Sequence, residues 1–103
     1  MKTIIERARK NLTKYVIEEP VHNLTESEKE IFIDKSKYAI NNFNSYADIS
    51  GYLADNLTDI SDEGLEWNAI AFAADGGESS VFTKKYIRLL FDKLIIEIFA
   101  ASG

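Results

Sequence analysis

The 103-residue chain has no cysteine, so neither a disulfide nor a thiolate metal site can belong to it. It has one histidine, His22, which would leave a zinc ion leaning on carboxylates, an unusual ligand set. It holds one proline and five glycines against 46% hydrophobic and 12% aromatic residues. That is far from the polar, aromatic-poor profile of a disordered chain, and the length suits one domain, 1–103, with a modest core. No apolar run approaches the roughly 18 residues that cross a bilayer; the longest, residues 94–101, is cut by Glu97. Glu6, Arg7, Arg9 and Lys10 stand where a secretory signal needs an apolar stretch, so a cytoplasmic protein is expected. The Asn-Leu-Thr triplets at Asn11, Asn23 and Asn56 then have no glycosylating compartment to act in.

Catalytic groupings are equally scarce. No second residue stands ready to work with His22, so neither an activated nucleophile nor an acid–base pair is legible, and the expectation is a protein that is not an enzyme. Asp59 to Glu66 invites a calcium reading through Glu63-Gly64. It fails at the twelfth position, Ile70, where a bidentate glutamate is needed. Asp75-Gly76-Gly77 lacks the lysine of a phosphate loop, and no Glu-x-x-His pair exists for a di-metal bundle. No cofactor and no metal are expected.

The periodicity predicts an all-α fold, a single-domain bundle of about five helices. Residues 3–18 place Ile4, Ile5, Ala8, Leu12, Tyr15 and Val16 on one stripe, which Pro20 ends. Thr25-Glu26-Ser27-Glu28 is a capping box that opens a helix over 26–43, with Ile31-Phe32-Ile33 readable instead as a short strand. Ser45-Tyr46-Ala47-Asp48 repeats the pattern and opens a third helix carrying Ile49, Leu53, Leu57 and Ile60. Residues 62–74 are apolar nearly all round, which reads as a central buried helix containing Trp67. Asp75-Gly76-Gly77 stops it, and Ser79 or Ser80 caps a final helix through Val81, Tyr86, Leu90, Leu94, Ile98 and Phe99. Leu65, Ile70, Phe72, Leu90 and Leu94 are the expected core, and no hairpin signal stands against this reading.

The most informative scarcity is of positive charge. From Tyr38 through Thr83 there is no lysine or arginine, while eight acids fall in the same span. They are Asp48, Asp55, Asp59, Asp62, Glu63, Glu66, Asp75 and Glu78. Residues 1–15, in contrast, hold five basic residues and only Glu6. Asp48, Tyr52, Asp55 and Asp59 recur at steps of four, three and four, which is one helix face turned away from the Ile49, Leu53, Leu57 stripe. Solubility and helix-dipole complementation account for part of such a surface. Unmixed acids interleaved with Tyr46, Tyr52 and Trp67 also make a surface that repels nucleic acid and anionic membrane and steers a cationic protein.

In size, charge and lack of catalytic groups over its whole length, the chain resembles bacterial toxin-immunity proteins of the colicin or contact-dependent inhibition kind. The resemblance implies an inhibitor that binds and neutralises a basic toxin, foremost a nuclease, whose phosphate-binding cleft an acidic surface can cover. The same physics admits a phage anti-defence inhibitor that mimics nucleic acid. A helical adaptor or homodimeric subunit is a reading from another class.

Overall fold

The computed structural model describes residues 2–57, 65–74 and 85–102, with side chains for 4–18, 23–57, 67–74 and 85–100. Among the described residues, three helices and four strands follow one another along the chain: α1 (Lys2–Lys10), β1 (Val16–His22), α2 (Glu26–Asn42), α3 (Tyr46–Asn56), β2 (Leu65–Ala73), β3 (Lys85–Phe91) and β4 (Leu94–Ser102). The strands form one sheet in the order β1-β3-β4-β2, with every neighbouring pair antiparallel. The expected all-α bundle of five helices is therefore overturned in its first and last parts. Helix α1 stops at Lys10, and Tyr15 leads into a strand that contains Pro20. The span 62–74 yields β2 in place of a central helix, and the final helix is a β-hairpin.

Each correction has a local cause. In β2, Trp67, Ala69, Ala71 and Ala73 alternate with Asn68, Ile70 and Phe72. Both sets are largely apolar, so the period of two is hidden and the alanines favour a helical reading. In β4 only Glu97 interrupts an apolar run, which suits a buried strand as well as a helix. The β3–β4 turn uses Asp92-Lys93, with Asp92 at φ 57°, a left-handed residue without the glycine that usually announces a two-residue turn. Pro20 fits β1 because β1 is an edge strand, and its register against β3 shifts between Glu18 and His22. The expected caps, Ser79 and Ser80, and the expected stop at Asp75-Gly76-Gly77 lie outside the described residues.

The helices cover one face of the sheet. Ile87, Leu89 and Phe91 of β3, Leu94, Ile96, Ile98 and Ala100 of β4, and Trp67 and Ala71 of β2 join Ile5, Ala8, Phe32, Ala39, Ile40, Ile49, Leu53 and Leu57 in one buried core. Trp67 is thus core, with its ring 4.9 Å from that of Phe32, and Ile31-Phe32-Ile33 is helical. Of the five expected core residues, Leu94 is fully buried, while Ile70, Phe72 and Leu90 are half-buried on the opposite sheet face. The Leu65 side chain lies outside the described residues.

Polar contacts fix the layers. Thr25 and Glu28 form the expected capping box: the Glu28 N–H donates to Thr25 Oγ1 at 3.1 Å and the Thr25 N–H to Glu28 Oε1 at 3.0 Å. The same Glu28 carboxylate pairs with Lys85 at 3.0 Å, joining the start of α2 to the start of β3. Arg9 donates to the carbonyls of Ile40 and Phe43 and to Asn44 Oδ1, closing the C-terminal end of α2. One residue of the basic amino-terminal stripe is thereby used inside the fold. Ser50 Oγ accepts from the Ala71 N–H at 3.0 Å, so α3 covers part of the free edge of β2.

The Glu28 link has a pH signature. Burial works to raise its pKa, but the Thr25 N–H and Lys85 outweigh this and hold it below its ordinary 4.5. A carboxyl depressed in the folded state gives stability that is present above 4.5 and lost as pH falls through the lowered value. Glu28→Gln should therefore cost about 1–2 kcal/mol at neutral pH and less in acid. Urea denaturation of both proteins at pH 7 and pH 3 checks this, with the gap between them expected to narrow on acidification.

Candidate functional site

Helix α3 begins at Ser45, whose Oγ accepts from the Asp48 N–H at 3.1 Å. Its Ile49, Leu53 and Leu57 stripe is fully buried, which turns Asp48, Gly51 and Asp55 outward with Tyr52 at their side. A shallow groove of about 360 Å³ runs along this face, lined by Phe43, Ala47, Asp48, Gly51, Tyr52, Asp55 and Asn56. Three of the nine residues expected to bind a partner, Asp48, Tyr52 and Asp55, are thus brought together on one surface. Glu66 falls on β2 with its side chain outside the described residues. Asp59, Asp62, Glu63, Asp75 and Glu78 lie outside them altogether.

The aromatic part of the surface comes from packing between helices. Tyr52 stands 5.0 Å from the Tyr38 ring and 5.5 Å from the Phe43 ring, both tilted, forming a step across the α2–α3 junction. Tyr38 is 52% exposed, unusual for a large side chain with an apolar body. Burial, and then the neighbouring Tyr38, raise the Tyr52 pKa, so its phenol stays protonated over the physiological range. Sequence periodicity could find Tyr52 but not Tyr38 or Phe43, which join it only once α2 and α3 are folded against each other.

Two cations of the neighbouring elements already have partners, and Arg9 finds one of its own at Phe43, a residue that lines the groove. Lys37 lies over the Tyr15 ring at 5.0 Å, and Arg9 is bound to the end of α2. The groove floor at Gly51 is open: a Cβ there would meet nothing within 4 Å. Glycine in a helix interior costs about 0.5–1 kcal/mol relative to alanine, and packing does not require it here.

A second polar grouping sits on the sheet face away from the helices. Glu97 is fully buried and accepts from Tyr86 Oη and from Arg88, whose Nη2 lies at 3.1 Å. Arg88 Nε also donates to Tyr86 Oη at 3.1 Å. Burial first, then the Glu97 carboxylate, pushes the Tyr86 phenol up to about 12. A phenol held protonated this firmly gives up its proton poorly, and together with Arg88 it satisfies the buried carboxylate. Among the described residues no group of three histidine, aspartate or glutamate side chains is placed to hold a metal ion, and no helix is long and apolar enough to cross a membrane. Compared with known proteins, the chain matches no family model and no curated protein.

Proposed function

We propose that the protein is a non-enzymatic, immunity-type inhibitor that binds a basic protein, foremost a cationic nuclease toxin, through the α2–α3 face. The observation that carries this reading is the step of exposed Tyr38 and half-buried Tyr52 and Phe43 beside Asp48 and Asp55, in a span of sequence without lysine or arginine. Aromatic residues of this kind anchor protein interfaces, while like-signed charges around them raise the encounter rate with an oppositely charged partner. Such a face disfavours nucleic acid and anionic lipid for the same electrostatic reason. A cytoplasmic site of action follows if the toxin is met inside the producing cell.

Asp48→Lys combined with Asp55→Lys tests the reading, because both side chains are exposed, and the melting temperature of the variant checks that the fold is kept. With the toxin encoded by the adjacent gene as ligand, association should slow by about 10-fold or more at low salt, and the loss should shrink at high salt. Glu6→Lys combined with Glu30→Lys changes the net charge equally on other exposed surfaces and should have the smaller effect. Equal effects of the two pairs would reduce the acidic face to a solubilising surface.

The homodimer reading has an observation of its own. The sheet face away from the helices carries Val16, 52% exposed, beside half-buried Leu90 and Phe72. Sedimentation equilibrium of the free protein separates the two, since an inhibitor of the proposed kind remains monomeric until its partner is added.

A further inference from the structure

We infer that the groove over Gly51 is the seat of a single arginine side chain presented by the basic partner, a step that rests on the inhibitor reading above. The groove has carboxylates at both ends and an aromatic wall between them. Asp48 lies three residues before Gly51 and Asp55 four after it, so both flank the bare backbone on one helix face. Seven residues of helix separate the two acids by about 10 Å at the backbone, with Gly51 between them. Tyr52 and Phe43 line the same groove, which places aromatic surface beside the two carboxylates.

Each component favours arginine over lysine. A guanidinium is planar, stacks on aromatic rings and directs its donors sideways to two acceptors at once. An ammonium is compact and strongly hydrated and would meet one carboxylate at a time. Gly51 completes the site by what it omits. A Cβ there would project from the groove floor, yet it would meet nothing in the protein within 4 Å. Glycine at this position weakens α3 and leaves a floor low enough for a flat group to lie on.

The experiment uses the full-length protein and two short peptides, acetyl-Gly-Arg-Gly-amide and its lysine counterpart, followed by amide chemical shifts. The arginine peptide should move the signals of residues 47–56 and bind several-fold more tightly than the lysine peptide. Gly51→Leu should leave the melting temperature equal or higher while weakening arginine binding by about tenfold. Gly51→Ala should fall between the two. Equal binding of the two peptides, or full binding by a folded Gly51→Leu protein, would overturn the inference.

The inhibitor reading fails separately. If Asp48→Lys with Asp55→Lys does not affect toxin binding while the arginine peptide still titrates residues 47–56, the seat stands and the toxin is not its occupant. If toxin binding depends on both aspartates but tolerates Gly51→Leu, the inhibitor stands and the arginine seat is wrong.

Discussion

Arg88→Ala will lower the stability of the protein by about 3–5 kcal/mol, the usual result of leaving a buried charge without its partner. Glu97 has no exposed surface, and Arg88 donates to its carboxylate from both Nε and Nη2. Without it, the carboxylate keeps Tyr86 Oη but must either remain charged in a poor dielectric or take up a proton. Apart from Arg88 itself on β3, Glu97 has apolar neighbours: Ile70 stands opposite it on β2, and Ile95 lies two residues before it on β4. Replacing both members of the pair, as Arg88→Leu with Glu97→Leu, should therefore recover most of the loss. Chemical denaturation of the two variants beside the wild type gives the comparison. A single variant as stable as the wild type would mean that Glu97 is not held as a buried anion.

Phe32→Ala should be comparably severe, about 3–5 kcal/mol, because it removes a fully buried ring and leaves a cavity between layers. Phe32 is where α2 meets the sheet, its ring tilted 59° to that of Trp67 on β2. Trp67 is the only tryptophan, so its fluorescence reports directly on this junction. The emission should shift to the red in the folded variant as water or looser packing reaches the indole, and the midpoint of unfolding should fall in the same samples. Tyr38→Ala is the contrasting case: the lost side chain is more than half exposed, and stability should change by about 0.5 kcal/mol or less. An equal cost for the two aromatic truncations would mean that the α2–β2 junction is not the centre of the core.

How much of this was legible in the sequence depends on whether a segment's signals were local. Helices α2 and α3 lie where their caps place them, because Thr25, Glu28 and Ser45 act on amides three residues away. Asp48, Tyr52 and Asp55 could be put on one face for the same reason, their helix opening where Ser45 caps it, although the expected continuation to Asp59 and Ile60 runs past its end at Asn56. The sheet was not legible. Strand β2 pairs with β4 some thirty residues on, and only that pairing makes Trp67, Ala69 and Ala71 one face and Ile70 and Phe72 the other. Taken alone, the alanine-rich and aliphatic runs of β2 and β4 satisfy a helical period as readily as a strand period. Tyr38 and Phe43 escaped for a related reason, since their contact with Tyr52 exists only across the α2–α3 junction.

The strand order also governs when this protein can acquire its shape during synthesis. Every ladder in the sheet includes β3 or β4, and both lie beyond residue 84. Strand β1 is made early yet pairs with β3, across a separation of about seventy residues, while β2 waits for β4. A growing chain can therefore form its helices as it leaves the ribosome, but it has no strand partner for β1 or β2 until the last hairpin is out. Until then the apolar faces of α1, α2 and α3 have no sheet to rest on, and chaperones have the opportunity to hold them. Once the Asp92-Lys93 turn brings β3 and β4 together, the edges for both waiting strands appear at the same moment. The closing entropy of the long β1–β3 loop is then met by a template already in place.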